Sequence, residues 1–390
     1  MFMSASRDPL FTPRFFLMCA FTFCVFVSAF QLFPVAPFRI RDLGGSTFAA
    51  GLFLAFLTYA SAVFAPLTGS LADRWGRRRA LVISGGALTL FSVTYGLLAD
   101  YRVMLGLTLV HGLFWSAMLT ASAAYMSGWL PPTRRAEGLG YWGLSSVLAV
   151  AVAPPLGFWL YRFGWGWMCL VMAGLNILMT LIAACLPPLS SAEAPRERQR
   201  LAIEWRILIV SFTLFLYAFG YGGVTSFAAM YADANGLTPK AIYLSVLAVT
   251  IIITRPFLGP LADRVGYLRV FVPCLGLIAV GLGLLAVGGT RPWQVASAIV
   301  FGTGFGTAYP VYAAYLLQRI EARKRGASFG ALISAFDTGI GSGSLITGWI
   351  IEHAGYRLAF GLGAAVAAAA VPYFLVARRL LPPAHRVPAP

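Results

Sequence analysis

The sequence predicts an all-α membrane protein with twelve transmembrane helices folded as two pseudo-symmetric six-helix bundles. Three observations carry that prediction. Hydrophobic residues make up 59% of the chain and charged residues only 11%, with a mean hydropathy of +0.80, so lipid must take up most of the apolar surface. Twelve apolar runs of roughly 20 residues or more are long enough to cross a bilayer as helices, and the alternation that barrel strands require is absent. A short loop between such runs also occurs twice, 190 residues apart in a chain of 390.

The first run covers residues 14–38. It is too long for the apolar core of a signal peptide and is interrupted by Gln31, Pro34 and Pro37, so it reads as a retained spanning helix. Runs 44–69, 79–99, 103–128, 138–161 and 165–186 complete a first set of six. The second set is 206–231, 241–259, 268–289, 293–317, 328–351 and 355–377. Between the sets, Pro187 to about Glu204 is polar and holds Glu193, Arg196, Glu197, Arg198 and Arg200. The expected organisation is a bundle over 1–187, a cytoplasmic linker over 188–204 that is partly disordered or lies on the membrane surface, and a bundle over 205–390.

The repeated loop is Gly69-Ser-Leu-Ala-Asp73-Arg74-Trp-Gly76-Arg77-Arg78-Arg79, matched by Gly259-Pro-Leu-Ala-Asp263-Arg264-Val-Gly266-Tyr-Leu-Arg269. Glycine leaves room for close packing at a helix end, aspartate accepts from exposed helix-end amides, and the basic cluster favours the cytoplasmic face. The same offset relates Pro66 to Pro256, Gly112 to Gly302, Ala123-Ala124-Tyr125 to Ala313-Ala314-Tyr315, and Arg134-Arg135 to Lys324-Arg325. Gly157-Phe158 with Gly164-Trp165 resembles Gly348-Trp349 with Gly355-Tyr356 at an offset of 191. Equal spacing with equal topology implies halves related by an axis along the membrane normal.

The net charge of +16 does not point to nucleic acid, because the basic residues sit in short loops between apolar runs. With the amino terminus in the cytoplasm, that face takes 21 of the 29 Lys and Arg and the opposite face seven, which places both termini in the cytoplasm of a cell with this protein in its inner membrane. The five cysteines lie inside apolar runs without disulfide or zinc spacing, and no metal site or cofactor is expected. Gly302-Thr-Gly304-Phe-Gly306 falls inside a span, so it is no nucleotide fingerprint, and no phosphate loop exists for ATP-driven transport.

Ionisable groups inside hydrocarbon are costly and mark candidate function. Asp337 is the only acid well inside a span, and Ser334, Asp337, Gly341, Ser344 and Gly348 share one helix face that should look into a cavity or at a partner helix. Its carboxylate reads as a proton carrier or cation contact, against the plainer role of fixing helix packing. His111, on a face with Thr108, Trp115 and Ser122, is the only spanning histidine: a second proton-coupling candidate, or a neutral ring satisfied by a neighbouring hydroxyl. Arg255 falls inside a span just before Pro256, where snorkelling or pairing with Asp263 competes with substrate contact. Gln31, Tyr59, Trp115, Tyr217, Tyr221, Tyr309 and Tyr312 are candidate cavity residues, suited to amphipathic organic ligands. An enzyme would need converging acid, base or nucleophile groups, which this set does not offer, so no enzyme is expected.

The repeated loop resembles the signature loop of the major facilitator superfamily, G-x-L-a-D-R-x-G-R-R, between helices two and three. The first copy matches at every characteristic position; the second keeps Gly259, Asp263, Arg264 and Gly266 but has Tyr267-Leu268 in place of the basic pair. The resemblance implies a monomeric secondary transporter working by alternating access. It also implies that the Asp73 and Asp263 loops help hold one orientation closed on the cytoplasmic side. In the fourth helix the family's R-x-x-Q-G reads Thr108-Leu-Val-His111-Gly112 here, so the usual coupling arginine is missing. Ala149-x-x-x-Ala153-Pro154-Pro155-Leu-Gly157 resembles the exporter-associated G-x-x-x-G-P-x-x-G. The implied function is export of a drug or metabolite against inward proton flow, with small-molecule substrate, protons and lipid as partners. Uptake by a proton symporter or facilitator is the alternative.

Overall fold

The computed structural model describes residues 9–131, 134–188, 205–320 and 325–381. Eleven helical stretches occur in order among them. The first six are α1 (Pro13–Asp42), α2 (Thr47–Trp75), α3 (Arg77–Leu97), α4 (Tyr101–Trp129), α5 (Arg135–Tyr161) and α6 (Trp165–Cys185). The remainder are α7 (Trp205–Ala234), α8 (Ile242–Val265), α9 (Tyr267–Val287), α10 (Arg291–Leu317) and α11 (Arg325–Ala377). Residues 189–204 of the expected linker lie outside the described residues.

Helix starts follow local chemistry. Thr12 accepts from the Phe15 amide at 3.3 Å with Pro13 opening α1, Ser46 accepts from Ala49 at 3.1 Å to start α2, and Asp100 accepts from Arg102 at 2.8 Å before α4. Ten of the eleven stretches are long and apolar enough to cross a membrane; α10, rich in Gly, Thr and Tyr, is the exception.

The internal repeat is visible in the backbone. Gly76 (φ 93°) and Gly266 (φ 99°) stand 190 residues apart and turn the chain from α2 into α3 and from α8 into α9, a conformation that disfavours any side chain. Gly164 (φ 117°) separates α5 from α6, and 191 residues later Gly355 (φ 82°) breaks the helical path inside the 53-residue α11. The runs expected at 328–351 and 355–377 are thus one stretch with a non-helical joint, because the chain re-enters a helix with no intervening loop residue.

Packing repeats as well. Gly112 of α4 lies against the Leu57 carbonyl and Ala60 of α2, and Gly302 of α10 lies against the Leu247 carbonyl and Thr250 of α8, every position shifted by 190. Within the first half α1 packs on α5 and α3 on α6; within the second, α7 packs on α11. The first six helices meet the rest chiefly along α2–α11, α5–α8 and α1–α7.

Candidate transport site

The α2–α11 seam is built from the small and polar face anticipated on α11. Ser61 Oγ donates to Asp337 Oδ2 at 2.9 Å, and the Tyr59 hydroxyl pairs with Ser342 Oγ at 2.8 Å. Gly341 packs on Thr58 and Tyr59, Ser344 Oγ donates to the Gly51 carbonyl at 2.9 Å, and Gly348 packs on the Thr47 carbonyl. The Phe48 amide then donates to Glu352 Oε2 at 2.7 Å. The face therefore looks at a partner helix of the other half. Asp337, at the inner end of the contacts, keeps partial exposure.

Glu352 caps α2 from the opposite half, beside the local Ser46 cap. Lys240 reinforces the same end, pairing with Asp233 at 2.8 Å while its ammonium lies 5.0 Å from the Phe38 ring of α1. Removing the borrowed cap should loosen only this end. Glu352→Ala is expected to raise the population with that end open by about two- to tenfold, since an exposed charged cap contributes modestly. Spin labels at Arg162→Cys and Ala234→Cys, one in each half, read it as a longer distance; an unchanged distribution counts against the cap.

Each half also carries an aromatic cluster. In the first half Trp115 lies 5.8 Å from Phe26 and 6.1 Å from Phe33, with Phe30 stacked on Phe26 at 5.7 Å. In the second half Tyr221 stacks on Phe305 at 4.1 Å, and Tyr217 and Phe336 lie 5.9 and 6.1 Å from the same ring. Tyr309 meets Phe336, the neighbour of Asp337, at 5.4 Å. These rings offer apolar faces with polar tips.

The remaining candidates are placed as follows. Gln31 is fully buried against Gly157 of α5, and among the described residues both its amide atoms and the Tyr217 hydroxyl lack a hydrogen-bond partner. Val27, one turn before Gln31, packs on Ala149 and Ala153, so the small residues of α5 serve its contact with α1. His111 turns into its own half, where Nδ1 pairs with the Tyr95 hydroxyl at 3.1 Å and the ring stacks on Phe91. It does not meet Asp337. Tyr312 is core, packed on Phe271 and Phe374 with its hydroxyl 3.4 Å from Ser211.

In the first loop, Arg77 Nη1 donates to the Ala124 carbonyl at 2.9 Å and Arg78 to the Ala184 carbonyl, tying the start of α3 to the last turns of α4 and α6. Arg74 is exposed at the end of α2, whereas the surroundings of Gly69 and the side chain of Asp73 lie outside what is described. In the second loop Asp263 Oδ1 accepts from the Tyr267 hydroxyl at 2.7 Å, so the tyrosine replacing a basic residue gives the aspartate its partner; Gly259 and Arg264 stand in α8 before Gly266. Sequence reasoning missed Ser61, Ser342, Glu352 and the phenylalanines. The signal available for the first was the row Thr47, Gly51, Thr58, Ser61 along α2.

Comparisons with known proteins agree with this architecture. The model of the Major Facilitator Superfamily matches residues 18–331 and 210–390. The transporter YhhS of Escherichia coli (strain K12), of the same superfamily type, is 24% identical over 362 residues, covering 90% of this chain and 89% of its own. A mutant of the nucleoside transporter NupG superposes with a TM-score of 0.77 at 14% identity, over 93% of this chain and 99% of its own. A bacterial homologue of the human lysosomal transporter Spinster, in an inward-facing, unoccupied conformation, gives 0.73 at 15% identity over 96% and 97%. At such identities the structures speak for the fold alone. With the family model spanning nearly the whole chain, the protein belongs to the major facilitator superfamily and is a multi-pass membrane transporter of a small solute.

Proposed function

We propose that the protein exports a small organic molecule, a drug or metabolite, across the cytoplasmic membrane in exchange for protons. Twelve spanning helices form two bundles that rock about a central site. The twelve-helix reading is supported by Gly355, which stands to α11 as Gly164 stands to the α5–α6 junction. The observation that carries the function is the Ser61–Asp337 bond, a hydroxyl of one half on a carboxylate of the other. An ionised Asp337 accepts that bond, and a proton taken up there changes the seam that must part when the halves rock.

The repeated loops and both termini lie on the cytoplasmic face in this reading, and the named seam contacts then close the opposite face. The inward-facing state of the Spinster homologue is consistent with that arrangement. Solute and proton flux in inside-out vesicles under an imposed pH gradient tests the proposal. Gradient-driven accumulation of an organic solute with counterflowing protons is expected; co-movement of protons and solute would make the protein a symporter. Asp73→Ala should lower flux by about five- to thirtyfold, the worth of one or two kcal/mol in a conformational balance, without lowering insertion. Normal flux in that variant would remove the loop from the mechanism.

A further inference from the structure

Among the described residues Arg255 is a cation without a hydrogen-bond or ion-pair partner. Ten residues separate it from the end of α8 at Val265, about 15 Å along a helix. Its Nη2 lies 4.0 Å from where a Cβ would stand on Gly143, itself eight residues, or about 12 Å, inside α5 from Arg135. Within the expected 241–259 span Arg255 therefore stands four residues, about 6 Å, from the cytoplasmic end, at the α5–α8 meeting of the halves. Among the described residues it makes no hydrogen bond and has no carboxylate within ion-pair distance. Asp263, two turns further on, is taken by Tyr267. Arg39, by contrast, donates to the Leu98 carbonyl, and Arg77 and Arg78 donate to helix carbonyls.

A guanidinium just inside the span with no carboxylate beside it is open to an anion that arrives from solution. The side chain keeps partial exposure, so such an anion can reach it. We propose that Arg255 is the oxyanion anchor of the transport site, and that the exported molecule carries a carboxylate or similar oxyanion on its organic body. This rests on the transport reading above. The planar five-donor fork fits a carboxylate or phosphate in two parallel bonds, and the ring wall of Tyr221, Phe305 and Tyr309 in the same half suits an apolar remainder. A lipid headgroup phosphate offers the same chemistry, and the phosphatidylglycerol arm of the test below separates the two sources.

The test uses the full chain in phosphatidylcholine nanodiscs and a matched set of probes: 2-naphthoate, 2-naphthamide and 2-naphthylmethylamine. Phenylglyoxal modification at Arg255, followed by mass spectrometry, should be blocked by naphthoate and not by the amide or the amine. Naphthoate should also bind at least about tenfold tighter than naphthamide, a gap that Arg255→Gln closes and Arg255→Lys partly restores. Amide binding by Arg255→Gln serves as its folding control. Equal protection by all three probes, no protection by any, a preference that survives Arg255→Gln, or protection that appears only when phosphatidylglycerol is added would each overturn the anchor. The two readings fail differently. Flux of neutral or cationic solutes without anion preference removes the anchor and leaves transport standing, whereas protection of Arg255 without flux of any solute does the reverse.

Discussion

Asp337→Asn is expected to abolish pH-gradient-driven transport while leaving exchange of labelled for unlabelled substrate in place. Asparagine keeps the size of aspartate, and its carbonyl can accept the Ser61 hydroxyl that now lies 2.9 Å from Asp337 Oδ2. It cannot take up or release a proton. The seam should therefore still form and part, but without a proton step to give the cycle a direction. Driven flux should fall by at least about tenfold, the change expected when a coupling of one to two kcal/mol is lost. Ser61→Ala provides the complement. It removes a hydrogen bond to a charged acceptor, a class worth about 1.5–3 kcal/mol, and shifts the balance toward the state in which the halves part at this level. Gradient-driven flux that survives Asp337→Asn would move the proton site elsewhere, and His111, enclosed by Tyr95 and Phe91, is poorly placed to replace it.

The largest effect on folding is expected at the α7–α11 crossing. A Cβ on Gly343 would run into the Phe219 carbonyl, and one on Gly222 into the Ile340 carbonyl, so two backbones touch with no side chain between them. Backbone atoms cannot swing aside as a flexible side-chain end can, so helices must separate to admit even one methyl group. Gly343→Val should cost more than the usual 1–3 kcal/mol of overpacking and should abolish the monodisperse peak in detergent. Gly276→Ala, on α9 where nothing lies within 4 Å, should be neutral or slightly stabilising, because alanine favours a helix by about 1 kcal/mol over glycine. Equal thermal stability of the two variants would show that the crossing is looser than described.

The readable parts of the chain were those whose signal is local or repeated. The duplicated loop, the glycines at 76 and 266, and the face Ser334–Asp337–Gly341–Ser344–Gly348 are all patterns of spacing, and spacing survives in a string of letters. The face still left two answers, cavity or partner helix, until α2 was seen to stand against it. The tyrosines show the limit more sharply. Tyr309 and Tyr312 are three residues apart on α10, yet one joins the ring wall beside Asp337 and the other fills the core against Phe271 and Phe374.

By itself the sequence determined a lipid-embedded, duplicated helical chain, because hydropathy and period need no knowledge of neighbours. Only the tertiary structure decided that Ser61 meets Asp337, that Glu352 caps a helix more than 300 residues away in sequence, and that Arg255 meets no carboxylate among the described residues. A helix sequence gives each side chain an angle about its own axis. Which helix stands at that angle is settled by how all of them pack together.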